Sequence, residues 1–274
     1  MNNLTVLKIG GAAEIGIAPA CADIAAQVKA GQRLLIVHGG SDIANTLGTQ
    51  LGHPPVFVTT TSGHTSRYTD PRTLEIFLMA TALLNRRIVA ELQRLGVNAV
   101  GLSGLDGRLL VAQRKDALRV VENGKRKVLR DDFTGTIQSV NATLLLNLMQ
   151  DGYTPVIAPL AISGESDPLN VDGDRAAAMI AAATQAHKLV LLTNVAGLYR
   201  NYPDPSSLIR QLPQNELPQA LDSYAQGRMK RKVLAAQEAL QGGVQSVYIS
   251  DARIDNPISQ ALAGAGTCIA RNEQ

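Results

Sequence analysis

A three-layer α/β/α sandwich, with helices on both faces of a mainly parallel sheet, is the fold class that this sequence predicts. Three observations predict it. Short runs of leucine, isoleucine and valine recur without polar alternation, as strands buried on both faces do. Stretches with apolar residues at helical spacing alternate with those runs. The 274 residues are 45% apolar, enough to fill a large core around one shared sheet.

The strand candidates are LTVLKI (4–9), LLIV (34–37), AVGLS (99–103), PVIAP (155–159), KLVLLT (188–193) and VYIS (247–250). Helical spacing occupies 18–30, 42–51, 71–95, 137–151, 174–186 and 228–241. In the third of these, Leu74, Phe77, Leu78, Thr81, Asn85, Ile88, Leu92 and Leu95 fall on one face. Asp70 can cap that helix and Pro71 can open it, because the N–H that proline lacks is unpaired at that position anyway. Residues 108–130 break the alternation. There Asn123-Gly124 stands between two strand-like runs and reads as a β-hairpin with a type I′ turn, an insertion able to cover a site. No internal repeat, low-complexity tract or Pro/Gly-rich linker divides the chain.

Composition narrows the function classes. The first apolar stretch is interrupted by Lys8 and two glycines, unlike a signal peptide, and no run approaches the roughly 18 apolar residues of a membrane span. The expectation is a cytoplasmic protein with no membrane partner. Cys21 and Cys268 lie far apart and the four histidines are scattered, so neither a disulfide framework nor a metal site of side chains is expected. The net charge of +3 is mild, and 3% aromatic residues with no recognition motif argue against nucleic acid.

Three glycine-containing turns follow predicted strands: KIGGA (8–12), VHGGS (37–41) and TNVAGL (193–198). Such turns let backbone N–H groups approach an anion closely, and a following helix start adds a favourable dipole. Neither GxGxxG with a distant acid nor GxxxxGK[ST] is present, which sets aside dinucleotide and Walker sites. In LNVDGDRAA (169–177), Asn170, Asp172 and Asp174 alternate before a helix, and Asp172 reads as its cap. In QGRMKRKV (226–233), Arg228, Lys230, Arg231 and Lys232 crowd a helix start, where positive charge opposes the macrodipole and calls for an anion. Finally, SGHTSRYTD (62–70) sets Arg67 among small residues ahead of the Asp70 cap, with no local structural reason for an arginine.

KIGG, HGG, the Arg67 loop, LNVDGD, TNVAGL and GRMKRKV, in this order, resemble the amino acid kinase family and its acetylglutamate-kinase-like branch. Ser41 stands where that branch commonly has a third glycine, and Asn194 where it has an aspartate. These departures, with SRYTD, GLSGLDGRLL and VVENGK, resemble the lysine-biosynthesis subgroup, whose substrate, α-aminoadipate alone or glutamate as well, is attached through its amino group to the small acidic protein LysW.

The resemblance implies the amino acid kinase (carbamate kinase-like) fold, with a carboxylate lobe at 1–163 and a nucleotide lobe at 164–274 sharing one sheet. It implies phosphoryl transfer from ATP, with nucleotide-bound Mg2+, to a side-chain carboxylate, and a homodimer. An ionised carboxylate needs no general base, so catalysis reduces to positioning two anions and stabilising charge. By the same resemblance Lys8 lies on the γ-phosphate side and Lys232 on the nucleotide side, with Asp174 orienting both. Gly10, Gly11 and Gly40 supply N–H groups around the phosphoryl, with Gly39 and Ser41 beside the acceptor. Arg67 holds the α-carboxylate, while Asn170 and the Ser62–Gly63 turn contact the amide. Thr193, Asn194, Gly197 and Tyr199 fall at the adenosine, although Tyr199 can equally serve packing. Two other readings remain at this point: an acetylglutamate kinase of arginine biosynthesis, and a non-catalytic nucleotide-sensing relative. The basic residues of 108–130 suit either an acidic partner or the protection of an edge strand.

Overall fold

The apolar runs assemble around the middle of one sheet. The computed structural model describes residues 3–11, 16–61, 65–115, 117–122 and 125–271. The chain begins with β1 (Leu4–Ile9), α1 (Ile17–Lys29), β2 (Arg33–His38) and α2 (Ser41–Gln50), two strand–helix units. Then come β3 (Phe57–Thr60), β4 (Thr65–Arg67), the long α3 (Pro71–Arg94) and β5 (Ala99–Ser103). Next are β6 (Leu110–Arg114), β7 (Leu118–Glu122), β8 (Lys125–Leu129), β9 (Gly135–Val140) and α4 (Ala142–Gln150). They lead to β10 (Thr154–Ala158), β11 (Leu160–Ile162), β12 (Pro168–Asn170), α5 (Gly173–Ala183) and β13 (Lys188–Thr193). The C-terminal part holds β14 (Gln211–Pro213), α6 (Leu217–Ser223), α7 (Gly227–Gln241), β15 (Ser246–Asp251), α8 (Pro257–Leu262) and β16 (Thr267–Ala270).

The central sheet has eight strands in the order β14-β16-β15-β13-β1-β2-β10-β5, and its one antiparallel pairing is β15 with β16. Every residue of β1 is buried, as expected of a strand covered on both faces. The period-two alternation divides it. Leu7 and Ile9 pack with α1, α3 and α8, whereas Leu4 and Val6 pack with α5 and α7. Lys8 shares the face of Leu4 and Val6, so its ammonium is directed at α5 and α7. Each buried leucine or isoleucine there contributes about 1.5–3 kcal/mol.

Two predicted elements are corrected. The helix expected at 137–151 begins only at Ala142, because Gly135–Val140 is a strand paired with β6 and Asn141 caps the helix by accepting from Leu144 N at 3.3 Å. Apolar Ile137 and Val140 are three apart, which suits a helix face, yet an unpaired β6 nearby selects the extended form. The insertion at 108–130 also divides. β6 joins β9, β11 and β12, while β7 and β8 form a hairpin that pairs with β3 and β4. Glu122 pairs with Lys125, leaving a two-residue connection. The type I′ turn itself, Asn123-Gly124, lies outside the described residues, as do Ser62 and Gly63. Among the described residues, no helix is long and apolar enough to cross a membrane.

Candidate active site

Asp174 lies between the two lysines. Its Oδ1 is 2.9 Å from Lys8 Nζ and its Oδ2 is 2.9 Å from Lys232 Nζ. All three residues are 7% exposed. The elements explain the meeting: β1 presents Lys8 upward to the helices, the first turn of α5 presents Asp174, and the second turn of α7 presents Lys232. Asp172, not Asp174, caps α5; its Oδ1 accepts from Asp174 N at 2.9 Å and Arg175 N at 3.1 Å. Burial alone would raise the Asp174 carboxyl, but the charges of Lys232 and Lys8 outweigh it and hold the group well below the usual carboxylate range. Burial pulls the Lys232 ammonium down, with the Lys8 charge adding to it against the pull of Asp174. Two cations share one carboxylate here, so the cluster has a surplus of positive charge to offer an anion.

The glycine turns after β1 and β2 touch each other. A side chain on Gly11 would stand 2.5 Å from Gly40 N, and one on Gly39 would stand 2.5 Å from Gly11 N, so backbone contact excludes any larger residue at either place. Gly10 immediately precedes this contact at the end of β1. Asp42 N donates to Gly11 O, and Ser41 opens α2 with Gly40 before it. His38, fully buried beneath, has Nδ1 2.6 Å from Gly39 O and Nε2 3.2 Å from Asn85 Nδ2. Burial, with a smaller push from the Lys8 charge, lowers its pKa to about 4, so it is neutral and donates Nδ1–H to Gly39 O.

Arg67 ends β4 and reaches back to the same turn. Its Nη2 donates to Asn45 Oδ1 at 2.6 Å and to Ser41 O at 3.2 Å, and its guanidinium stands 5.3 Å from the Phe57 ring centre. Asp70 caps α3 through Thr73 N as expected. Asn170, on β12, donates to Thr69 Oγ1 at 3.1 Å, and Thr69 N donates to the buried Asp132 at 3.0 Å. Thr134 Oγ1 donates to the other Asp132 oxygen. Thr193 ends β13, where its carbonyl accepts from Ala252 N at 2.7 Å, and Asn194 follows it. Gly197 packs against Thr267, whose Oγ1 accepts from Leu198 N at 2.8 Å. Tyr199 stacks edge-on with Tyr202 at 5.6 Å.

Five participants carry no signal of their partners in the sequence. Asp132 belongs to no motif and Thr69 lies in SGHTSRYTD only as a neighbour of Arg67, and nothing in their spacing signals that they tie the chain ahead of β9 to the Arg67 segment. His38 stands in HGG and Asn85 on a helix face, and no local pattern signals that they meet. Arg231 is, in the sequence, only one of four basic residues at a helix start. In the structure it donates through Nη2 to Thr65 O, and Nη1 lies 3.7 Å from Asp172 Oδ2. The anions that the basic helix start calls for are therefore Asp174 and Asp172.

A parallel sheet whose strand ends present glycine turns, helix starts and a lysine–aspartate–lysine cluster is an α/β protein built to handle phosphate. The amino acid kinase family model matches residues 3–251, and the chain belongs to that family. It is 54% identical over 268 residues, 97% of this chain and 91% of the relative, to a LysW-aminoadipate kinase of Deinococcus radiodurans. It is 50% identical over 269 residues, 97% of this chain and all of the relative, to a LysW-aminoadipate kinase of Thermus thermophilus. Among solved structures, it superposes with a TM-score of 0.81 at 27% identity on an N-acetylglutamate synthase of Neisseria gonorrhoeae complexed with coenzyme A and N-acetyl-glutamate. All of this chain is covered in that match, and it spans 61% of the synthase chain.

Proposed function

We propose that this protein transfers the γ-phosphoryl group of ATP to the side-chain carboxylate of α-aminoadipate held by its amino group on LysW, in lysine biosynthesis. The single observation that carries the reading is the buried Lys8–Asp174–Lys232 cluster in a chain half identical to kinases of that name. One carboxylate oxygen attacks the γ-phosphorus, the bond to the β,γ-bridging oxygen breaks, ADP leaves and an acyl phosphate forms. No proton moves, so no base is needed. Lys8 and Lys232 neutralise charge on the transferred group and the leaving oxygen, and Asp174 holds both ammonium groups in place. Backbone N–H groups of Gly10, Gly11 and Gly40 complete the cradle. ATP arrives with Mg2+ bound to its own phosphate oxygens, which are the hard ligands that ion prefers.

In this reading residues 1–163 hold the carboxylate substrate, through Arg67 and Asn170 with Gly39, Ser41, Ser62 and Gly63, and residues 164–274 hold the nucleotide, through Thr193, Asn194, Gly197 and Tyr199. Arg67 makes one approach to the α-carboxylate with the nitrogens that Asn45 leaves available. The same reading includes a homodimer.

The small sheet β4-β3-β7-β8 supports the carrier as partner. Register places Arg67 opposite Phe57, Thr59 opposite Val121, Val121 opposite Arg126 and Arg119 opposite Val128, so these residues share one face. Phe57, Val121 and Val128 are exposed there among the three arginines. A surface both apolar and basic leading away from Arg67 suits an acidic protein that delivers its substrate to that arginine. Arg114 has another duty, stacking 3.7 Å over Phe133, and Lys127 pairs with Val120 on the opposite face.

A coupled ADP-release assay tests the whole reading, offering LysW-linked aminoadipate, LysW-linked glutamate and free N-acetylglutamate in parallel. Turnover with carrier-linked aminoadipate is expected. Turnover with acetylglutamate alone would transfer the protein to arginine biosynthesis, and ATP binding without turnover on any acceptor would make it a sensor.

A further inference from the structure

Arg231 stands one residue before Lys232, and neither substrate requires it in the reading above. Its guanidinium joins two parts of the site. Toward the carboxylate side, Nη2 donates to Thr65 O on β4, the three-residue strand that ends in Arg67. Thr65 and Arg67 are two apart and so lie on one face of that strand. Toward the phosphoryl side, Nη1 is 3.7 Å from Asp172 Oδ2, and the other oxygen of Asp172 fixes the first turn of α5 where Asp174 stands. Lys232, adjacent on α7, bonds Asp174 itself.

We propose that Arg231 is a positioning residue that registers the strand presenting Arg67 against the helix starts presenting Lys232 and Asp174. The inference rests on the reading of the site as a carboxylate kinase. Transfer between two anions depends on holding donor and acceptor in line, and a misplacement of about 1 Å costs on the order of a hundredfold in rate. Arg67 reaches the site from a short strand of a small outer sheet, whereas Lys8, Asp174 and Lys232 are anchored in the core. A planar fork can meet a carbonyl on one element and a carboxylate on another at the same time; an ammonium is a single point and cannot do so with the same geometry. The Arg231 side chain is 32% exposed, so its loss removes a tether and leaves no cavity in the core.

Three measurements on Arg231→Met and Arg231→Lys separate this role from a merely structural one. In the Met variant, kcat is expected to fall ten- to a hundredfold, KM for MgATP to stay within twofold, and the melting temperature to stay within about 2 °C. Hydrogen exchange at amides 65–67 of the substrate-free protein is expected to quicken several-fold, while that of the α7 amides 232–241 stays unchanged. The Lys variant should recover only a small part of the lost rate. A Met variant with kcat within twofold of the parent, or with unaltered exchange at 65–67, overturns the inference. The exchange measurement needs no substrate. If the parent protein phosphorylates no carboxylate at all, the kinase reading fails on that result, and the exchange result still decides whether Arg231 tethers β4.

Discussion

Replacing Asp174 by asparagine keeps the shape of the site and removes the carboxylate that both lysines contact. The two lysine side chains, 8–9% exposed and each with its Nζ 2.9 Å from an Asp174 oxygen, would then face each other with only the weaker pull of Asp172 on Lys232 left to offset them. Breaking a buried ion pair from one side costs about 3–5 kcal/mol. At roughly 2 cal/mol/K of unfolding entropy per residue, that is a fall of about 5–9 °C in melting temperature for a chain of this length. Because the folded Asp174 pKa lies below the ordinary value, its contribution is complete above the unfolded pKa near 4 and is lost only as pH falls through the folded one. The gap between Asp174→Asn and the parent should therefore be flat from about pH 5.5 to 8. A bound triphosphate supplies the missing negative charge, so saturating MgATP should narrow that gap. Turnover should not return, because the lysines lose their orientation; a fall in kcat of at least about a hundredfold is expected. Melting curves with and without nucleotide and a steady-state assay measure all three quantities. A variant that melts within 2 °C of the parent without nucleotide, or whose deficit MgATP leaves untouched, would refute the picture of two cations waiting on one carboxylate.

Arg67→Ala is expected to raise KM for the carrier-linked substrate about ten- to a hundredfold, the worth of a charge-assisted hydrogen bond, with KM for ATP little changed. An unaltered acceptor KM would return Arg67 to the role of bracing Asn45 and the Ser41 carbonyl. The double variant Arg119→Ser with Arg126→Ser should raise acceptor KM and flatten its dependence on salt, while Lys127→Ser on the other face does much less; equal effects from both would move the docking surface elsewhere. His38 takes a proton near pH 6.5 when unfolded but only at about 4 when folded, so stability should fall by about 3 kcal/mol as pH drops across that window. Urea unfolding of His38→Gln, which lacks that group, should show a shallower fall, and an identical pH profile would show that His38 is not the source.

Much of the fold was open to inspection in the chain itself. The runs at 4–9 and 188–193 are short, rich in leucine, isoleucine and valine and without polar alternation, which suits strands covered on both faces, and Asp70-Pro71 marks the start of α3 by backbone chemistry alone. The order of KIGG, HGG, LNVDGD and GRMKRKV pointed to phosphate and to the family that the chain belongs to. Even the direction of Lys8 follows from alternation along β1 once α5 and α7 are known to cover that face.

Tertiary structure decided the pairings. Asp174 and Lys232 are 58 residues apart, and no local pattern says that one will lie between the other and Lys8. Residues 135–140 carry a spacing that both a helix and a strand can satisfy, and β6 chose the strand by offering an edge of unpaired N–H and C=O groups. The same competition gave β6 to β9 and the hairpin strand β7 to β3, which put Arg119 and Arg126 on the face that carries Arg67. A segment's periodicity is a property of that segment and can be read from it. Which two segments meet is a contest among all available edges and charges, settled only when the whole chain has satisfied its buried hydrogen bonds and counter-ions together.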